Sequence, residues 1–288
     1  MSQIEKVGVV GAGQMGAGIA EVCARAGCDV LVVEENQIAL ESGRDRVLSS
    51  LNRAMRSGKL SAAEREKAAW RLRFGTDLDE LADRQLVIEA VVEDEQVKTE
   101  VVRRADKALT DPSAIIASNT SSIPIMKLGT VTDRPGNVIG LHFFNPVPVL
   151  PLVEVVSSLT TSPRTRDRVE AFVTKVLGKQ TISAGDRAGF VVNSLLVPYL
   201  LAAIRMVESG FASAADVDSG MTLGCAHPMG PLRLADLIGL DTVSAIAESM
   251  YAEHREPLYA PPPLLRRMVE AGLYGRKTGR GFHAYPTP

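Results

Sequence analysis

The sequence predicts an α/β fold with a mostly parallel sheet, followed by an all-α C-terminal domain. Short apolar runs rich in β-branched residues alternate with helical patterns over residues 1–184. This alternation is typical of parallel strands covered by helices on both faces. Strand patterns stop after about residue 185, and helical patterns continue from there. A chain of 288 residues is long enough for two domains, which we place at 1–184 and 185–288.

The predicted elements follow one another in a regular order. EKVGVV (5–10) predicts the first strand, AGIAEVCARAG (17–27) predicts a helix that Gly27 ends, and DVLVVEEN (29–36) predicts the second strand. Further strand patterns lie at 72–78, 85–92, 113–118, 137–144, 152–156 and 179–184, with helical patterns at 95–109 and 164–178. In the second half, helical patterns lie at 189–210, 212–219 and 230–254.

The segment at about 36–71 predicts a helical hairpin inserted after the second strand. Its apolar residues recur at helical spacing from Val47 to Met55, and SGK predicts the turn between the two helices. Nine basic and three acidic residues between positions 44 and 73 give a local charge of +6, in a chain of net charge -2. Such a hairpin either holds a phosphate-rich ligand or presents an ordinary solvated helix face, and the sequence leaves both interpretations open.

A glycine turn joins the first strand to the first helix. In its GxGxxG pattern, Gly11 allows the tight turn, Gly13 lets backbone approach a pyrophosphate, and Gly16 lets the helix pack closely. Glu34 ends the second strand, 18 positions beyond the last glycine, where a carboxylate can bind an adenosine ribose and repel a 2′-phosphate. The pattern predicts a Rossmann-type domain that binds NAD rather than NADP. The alternatives are a glycine turn without a dinucleotide, and Glu35 as the inward acid.

A second group of candidate residues lies where two predicted strands end. SNTSSIPI begins at Ser118, directly after an apolar strand, and His142 ends the next strand pattern. Because ligands of open parallel sheets bind beyond the carboxyl ends of strands, we expect residues 118–122 and His142 at one edge. Glu154 lies in the apolar run LVEVV, where an unpaired carboxylate would cost several kcal/mol. The 12 positions from His142 to Glu154 allow the chain to turn back, so we expect the carboxylate to pair with the imidazole and fix its tautomer.

Seven segments of the sequence resemble one protein family. They are GAGQMGAGIA, EAVVEDEQVK, SNTSSIPI, GLHFFNPVPVLPLVEVV, GFVVNSLLVPYL, GPLRLADLIGLDT and GRKTGRGFHAY, and they span nearly the whole chain. Together they are similar to the L-3-hydroxyacyl-CoA dehydrogenases, and most closely to stand-alone bacterial 3-hydroxybutyryl-CoA dehydrogenases. The resemblance implies an NAD-dependent oxidoreductase of fatty acid metabolism (beta-oxidation). Such an enzyme interconverts a short-chain (S)-3-hydroxyacyl-CoA and the 3-oxoacyl-CoA.

The resemblance also implies roles for single residues. His142 resembles the family's general base, and Glu154 resembles its orienting partner. Ser121, in preference to its neighbour Ser122, resembles the contact to the substrate hydroxyl, and Asn193 resembles the amide that helps to hold the reacting oxygen. Further residues match cofactor-side positions: Glu93, Lys98, Asn119 and Asn145. The helical hairpin matches an insertion that contacts coenzyme A, but it contains no sharp motif that names single contacts.

Two rival functions stay open at this point. Dehydrogenases of free β-hydroxyacids share the glycine turn but rely on a lysine in their helical region, and the long helical pattern NSLLVPYLLAAIRM contains no lysine. A non-catalytic, crystallin-like dinucleotide-binding protein would use the same scaffold, but it would have no need of the four catalytic candidates named above.

Composition argues against several other classes. A net charge of -2 is not typical of a chain built for nucleic acid or membranes. No apolar run approaches the roughly 18 residues that span a bilayer. The start of the sequence lacks a secretory pattern, so we expect a cytoplasmic protein. The apolar helical pattern at 189–210 favours a homodimer formed through the C-terminal domain.

The cysteines and the remaining histidines predict no metal site. The cysteines form no CxxC motif and no Cys/His cluster, so we predict buried reduced thiols. They are Cys23, Cys28 and Cys225. Three further histidines have no partner apparent in the sequence and are interpreted as structural. They are His227, His254 and His283.

Overall fold

The computed structural model describes residues 3–286, and the chain divides into two compact units between Asp186 and Arg187. In the described part of the chain, the first unit carries the sheet and the second is built mainly from helices. The predicted order, a mostly parallel α/β domain followed by an all-α domain, is therefore confirmed.

Within residues 3–286, eight strands form one sheet. Their bounds are Lys6–Val10 (β1), Asp29–Val33 (β2), Leu72–Gly75 (β3), Leu86–Glu89 (β4), Ile115–Ser118 (β5), Val138–Phe143 (β6), Leu152–Ser157 (β7) and Gln180–Gly185 (β8). Their order is β3-β2-β1-β4-β5-β6-β7-β8, and among these strands only the β6–β7 pair is antiparallel. β2 and β3 thus lie on one side of β1, and the chain then crosses to the other side of β1, where β4 pairs with it. Such a reversal opens a ligand crevice at the carboxyl ends of the strands.

Helices connect the strands of the first unit. They are Gln14–Arg25 (α1), Gln37–Arg56 (α2), Ala62–Trp70 (α3), Glu95–Ala108 (α4), Ile125–Gly129 (α5) and Pro163–Ala171 (α6). Because α2 and α3 lie between β2 and β3, the predicted helical-hairpin insertion is confirmed. Asn36 caps α2 by accepting from the Ala39 N–H at 2.9 Å, and Ser61 and Glu64 form a capping box at α3. These side chains satisfy N–H groups that the first turn of a helix leaves unpaired.

The two strands that carry the histidine and the acid are buried along most of their length. All six residues of β6 are buried, as are the four central residues of β7. Continuous apolar runs of this kind are typical of strands covered on both faces. Glu154 therefore lies between the buried side chains of Val153 and Val155 in the sequence. A carboxylate at this place requires a partner.

The second unit packs helices around its own apolar core. The helices are Val192–Glu208 (α7), Ala214–Gly224 (α8), Pro231–Ile238 (α9), Leu240–His254 (α10) and Pro263–Glu270 (α11). The core includes Leu200, Leu201, Ile204, Leu232, Leu240, Val243 and Leu265. Across residues 3–286, no helix has both the length and the apolar character needed to cross a membrane.

Asp218 and Asp236 anchor the last described segment of the chain. Asp218 accepts from the Leu232 N–H at 2.8 Å and pairs with His283 Nε2 at 2.7 Å. Asp236 accepts from the His283 N–H at 2.9 Å and from the Tyr285 hydroxyl at 3.0 Å. Burial, with the charge of Asp236, raises the pKa of Tyr285 to about 12. His283 is thus placed as a structural residue. Its partner Asp218 is not apparent from the sequence, because it lies 65 positions away.

The cysteines differ in exposure. Cys23 and Cys28 are buried as predicted, and burial raises the pKa of the Cys28 thiol to about 11. Cys225 is exposed, so the prediction of a buried thiol is wrong at that position. The reason is its place directly after α8, at an end of the helix where Leu223 is also exposed.

Candidate active site

The glycine turn connects β1 to α1 at the carboxyl edge of the sheet. Gly11 has a φ of +92°, which L side chains rarely adopt, and a Cβ on Gly16 would lie 1.9 Å from the Gly11 carbonyl oxygen. Gly13 precedes α1, and the place of its Cβ is open space. The turn therefore leaves room for a phosphate beside the N–H groups that begin α1, which favour negative charge. These residues fit the pyrophosphate of a dinucleotide.

Glu34 is the acid that faces this turn. It follows β2, and its Oε1 accepts a hydrogen bond from the Ala12 N–H within the turn. Glu35 is exposed, and its Oε1 accepts instead from the Asn36 side chain at 3.2 Å. Of the two candidate acids, Glu34 is therefore the one placed beside the glycines.

His142 and Glu154 face each other across an antiparallel strand pair. They are register partners in β6 and β7, and His142 Nδ1 lies 2.6 Å from Glu154 Oε2. Glu154 is fully buried and His142 is 7 % exposed. Because a carboxylate accepts at this distance, Nδ1 carries the proton in the neutral imidazole and Nε2 bears the lone pair. The imidazole also meets the ring of Phe144 edge-on, with centroids 4.6 Å apart, which restricts its plane.

The polar loop after β5, residues 119–122, is organised by Glu93. Its Oε1 accepts from the Thr120 hydroxyl at 2.5 Å and from the Ser122 hydroxyl at 3.2 Å. The same oxygen accepts from the N–H of Ser121 at 2.9 Å and from its hydroxyl at 3.3 Å. Burial raises the pKa of Glu93, but a neighbouring lysine charge and these hydrogen bonds lower the pKa overall, below the ordinary glutamate value. An ionised carboxylate thus fixes consecutive residues of the loop.

Lys98 and Glu89 extend this network into the core. Lys98 Nζ donates to Glu89 Oε1 at 2.7 Å and lies 3.3 Å from Glu93 Oε2. Both Lys98 and Glu89 are buried. Glu89 is not among the residues predicted from the sequence, although a signal was present: QLVIEAVV is an apolar strand pattern interrupted by one acid.

Asn119 and Asn145 tie the loops of this edge together. Asn119 Oδ1 accepts from the Phe143 N–H at 2.9 Å, one residue beyond the histidine. Asn145 Oδ1 accepts from the Gln14 side chain at 3.2 Å, where α1 begins. The loop after β5 is thereby joined to the end of β6, and the loop after β6 is joined to the glycine turn.

Asn193 lies in the second unit. It is the second residue of α7 and is buried. The structure therefore brings His142, Glu154 and the loop of Ser121 to one edge of the first unit, whereas the fourth catalytic candidate belongs to the other unit.

A basic cleft lies among α1, α2 and the loop that follows β6. Its cavity measures about 540 Å³, and its lining includes Arg25, Arg46, Arg53 and Lys59. A neighbouring cavity of about 470 Å³ shares two of these cations and adds Lys179. Three of the cations belong to the basic hairpin. Arg25 and Lys179 lie outside the hairpin, and no sequence pattern indicates that they line the same cavities.

Two family models match the chain, one for each of its two units. The model described as "3-hydroxyacyl-CoA dehydrogenase, NAD binding domain" matches residues 6–187, and the model described as "3-hydroxyacyl-CoA dehydrogenase, C-terminal domain" matches residues 189–285. The chain belongs to the 3-hydroxyacyl-CoA dehydrogenase family. It is therefore an NAD-dependent oxidoreductase, and the predicted family and cofactor are confirmed.

Relatives of this dehydrogenase match it over almost its full length. A 3-hydroxybutyryl-CoA dehydrogenase of Mycobacterium tuberculosis is 60% identical over 282 residues, which cover 98% of this chain and 99% of the relative. The crystal structure of M. tuberculosis FadB2 has a TM-score of 0.97 and 59% identity, covering 99% of this chain and 100% of that one. The (S)-3-hydroxybutyryl-CoA dehydrogenase PaaH1 from Ralstonia eutropha has a TM-score of 0.93 and 46% identity, with the same coverage.

Proposed function

We propose that this dehydrogenase interconverts a short-chain (S)-3-hydroxyacyl-CoA, such as 3-hydroxybutyryl-CoA, and the corresponding 3-oxoacyl-CoA with NAD(H). The observation that carries the proposal is the buried pair of His142 and Glu154, with 2.6 Å between Nδ1 and Oε2. An imidazole held by a carboxylate is suited to exchange a proton with a hydroxyl group. Relatives named 3-hydroxybutyryl-CoA dehydrogenase supply the substrate class.

The proposed proton transfer uses both nitrogens of the imidazole. In the oxidation direction, His142 Nε2 accepts the proton of the 3-hydroxyl group as hydride leaves C3. Bound NAD⁺ supplies the acceptor for that hydride. Glu154 keeps Nδ1 protonated, and its negative charge stabilises the imidazolium that forms. In the reduction direction, the imidazolium returns the proton to the oxygen of the 3-oxo group.

Ser121 and Asn193 are the proposed holders of the reacting oxygen. A hydroxyl and an amide N–H can both donate to an oxygen that gains negative charge during the reaction. Ser121 is half-buried, and its N–H donates to Glu93 at 2.9 Å, so its loop has a defined place. Its hydroxyl donates to the same oxygen at 3.3 Å and would turn from Glu93 to the reacting oxygen when substrate binds. Asn193 enters the proposal through the family resemblance.

On the cofactor side, we assign the glycine turn to the pyrophosphate and Glu34 to the adenosine ribose. The carboxylate of Glu34 would repel a 2′-phosphate, which disfavours NADP. The four remaining cofactor-side residues make the protein contacts described above. We propose that they shape the wall of the nicotinamide site: Glu93, Lys98, Asn119 and Asn145.

The basic cleft is the proposed place for the phosphates of coenzyme A. Arg53 and Lys59 are exposed at its surface. Arg25 is held by the fully buried Glu21, with 3.1 Å between Nη1 and Oε1. A cleft in which cations outnumber acids attracts a phosphate-bearing ligand. For this part of the hairpin, the geometry favours a ligand contact over a merely solvated helix face.

The test is an assay of NADH oxidation, in which the loss of NADH absorbance is measured. The substrates compared are acetoacetyl-CoA, free acetoacetate and longer 3-oxoacyl-CoA esters. We expect turnover with acetoacetyl-CoA and much weaker turnover with the free acid or with NADPH. Equal rates with the free acid would contradict the acyl-CoA proposal. Binding of NADH without turnover of any substrate would instead indicate a non-catalytic dinucleotide-binding protein.

We also propose a homodimer formed through the second unit. Leu195 and Met206 are exposed and lie near one line along α7, and Phe211 and Leu223 are exposed in the same unit. Exposed apolar side chains along one helix favour association. Sedimentation velocity should give the mass of two chains, and a single-chain mass would contradict the proposal.

A further inference from the structure

Glu89 is a buried acid that the mechanism above does not use. It ends β4 and is fully buried. Its Oε1 accepts from the Val91 N–H and from Lys98 Nζ, each at 2.7 Å. Its Oε2 accepts from the hydroxyl of Ser118, its register partner in β5, at 2.5 Å. A carboxylate whose two oxygens are both bonded in this way has a fixed position in the core.

Two routes lead from Glu89 to the polar loop after β5. One runs through the Ser118 hydroxyl, which donates to Glu89 and accepts from the Thr120 N–H at 3.3 Å. The other runs through Lys98, whose Nζ lies between two acids, 2.7 Å from Glu89 Oε1 and 3.3 Å from Glu93 Oε2. Glu93 in turn accepts the hydrogen bonds of the loop. Both routes therefore end on the segment that carries Ser121.

The order of charges explains why Glu89 matters to the loop. Lys98 is 1 % exposed, and a buried ammonium requires a negative charge close to it. Glu89 supplies that charge from the core side. The side chain of Glu93 is 38% exposed and also accepts the hydrogen bonds of the loop. The ammonium lies beside Oε2 of Glu93, whereas the loop donates to Oε1. Without the charge of Glu89, the ammonium would move towards Glu93 and shift the carboxylate that holds the loop.

We propose that Glu89 is a positioning residue of the reaction, which fixes the loop after β5 so that the Ser121 hydroxyl is held in place for the substrate oxygen. The proposal rests on the proposed function of Ser121. Glu89 itself contacts neither substrate nor cofactor in this assignment, because its side chain is fully buried and bonded within the protein.

A double-mutant cycle between Glu89→Gln and Ser121→Ala tests the proposal. Glutamine keeps the shape of glutamate but loses the charge and one acceptor oxygen. In Glu89→Gln, kcat for acetoacetyl-CoA should fall about 10- to 100-fold, while KM for NADH and for acetoacetyl-CoA changes less than about threefold. Ser121→Ala should then cost much less in the Glu89→Gln background than in the native protein, because the hydroxyl is already misplaced. Fully additive losses would overturn the proposal.

Matched variants control for folding. Glu95→Gln removes an exposed acid of α4 that pairs with Lys127 at 2.7 Å, and it should leave kcat unchanged. If Glu89→Gln does not fold, the same cycle is run in Glu89→Gln/Lys98→Met, which no longer contains the buried ammonium. In this double variant only the route through Ser118 is disturbed, so a smaller coupling with Ser121→Ala should remain, and its complete disappearance would count against the proposal.

Hydrogen exchange separates this proposal from the proposed function. The N–H groups of Thr120 and Ser121 are bonded to Ser118 and Glu93, respectively. Glu89→Gln should speed their exchange about tenfold or more, whereas the exposed-acid control should not. This measurement requires no turnover, so it reports on the loop even if acetoacetyl-CoA proves not to be a substrate. Unchanged exchange of both N–H groups would overturn the positioning role.

Discussion

Two regions of this dehydrogenase use charge in opposite ways. One is the basic hairpin, and the other is the catalytic edge, the carboxyl edge of the sheet that carries the proposed catalytic residues. At the edge, Glu89 and Glu154 are fully buried, with a cationic or imidazole nitrogen 2.7 Å and 2.6 Å away. In the hairpin, Arg53 and Lys59 are exposed and line an open cleft. Buried, paired charges hold side chains in place, whereas exposed cations attract a charged ligand through a screened field.

This difference sets the size of the expected effects. Removing one partner of a buried ion pair lowers folding stability by about 3–5 kcal/mol, whereas an exposed ion pair contributes about 0–1 kcal/mol to it. We therefore expect substitutions at the edge to lower kcat and substitutions in the cleft to raise KM. An edge substitution that raised only KM, or a cleft substitution that lowered only kcat, would contradict this comparison.

His142→Ala should have the largest effect. The substitution removes the proposed proton acceptor, so kcat should fall about 10²- to 10⁴-fold, or roughly 3–5 kcal/mol of transition-state stabilisation. Calorimetric titration should show NAD⁺ affinity within about threefold of the native value, because the substitution leaves the glycine turn intact. His142→Gln, which keeps a donor facing Glu154, should regain stability but not turnover. Native turnover in either variant would remove the assignment of the base.

Glu154→Gln should come second. The amide has no charge to stabilise an imidazolium, and its NH₂ can donate to Nδ1, which favours the unproductive tautomer with the proton on Nε2. We expect steady-state kcat to fall about 10²- to 10³-fold. The double variant with His142→Ala should be no slower than His142→Ala alone, since the acid acts through the imidazole. If the two losses multiply, Glu154 has a second role.

Much of the catalytic edge could be predicted from the sequence because local patterns determine it. Gly11 and Gly16 lie between a strand pattern and a helical pattern, so their spacing predicts both the turn and the space for a phosphate beside it. The pairing of His142 and Glu154 followed from a general cost, since an acid in an apolar strand needs a partner. The 12 positions between them allow the chain to turn back, and β7 returns as the antiparallel neighbour of β6.

The contacts that the sequence did not predict join distant segments. Arg25 enters the basic cleft from α1, outside the hairpin that carries the local charge. Asp218 meets His283 across 65 positions, and the exposure of Cys225 depends on where α8 ends. Neither local periodicity nor composition reports such packing, because it depends on how whole elements meet.

Arg53→Ala/Lys59→Ala tests the other side of the comparison. If the cleft binds the phosphates of coenzyme A, KM for acetoacetyl-CoA should rise about 5- to 20-fold with kcat unchanged. The native KM should also rise more steeply with salt than that of the variant. Lys127→Ala removes an exposed lysine paired with Glu95, outside the cleft, and serves as the control. Equal KM values and equal salt dependence in both variants would favour a solvated helix face.

Ser61→Ala should have the smallest effect, because it changes an exposed helix cap. The Ser61 hydroxyl accepts from the Glu64 N–H at 3.2 Å, and the Glu64 carboxylate accepts from the Ser61 N–H at 2.8 Å. Losing the hydroxyl should lower Tm by about 2–4 °C at neutral pH in a thermal melt, with kcat unchanged.

The pH dependence of that loss identifies its cause. Hydrogen bonds from the backbone and the hydroxyl of Ser61 lower the pKa of Glu64 below its ordinary value. A carboxyl group with a lowered folded pKa contributes stability above its unfolded pKa and loses that contribution as pH falls through the folded pKa. The variant keeps the Ser61 N–H but not the hydroxyl, so its difference from the native protein should narrow on acidification through that range. A difference that stays constant would assign the effect to the lost N-cap acceptor alone, and a fall in kcat would show that the hairpin positions the catalytic edge as well.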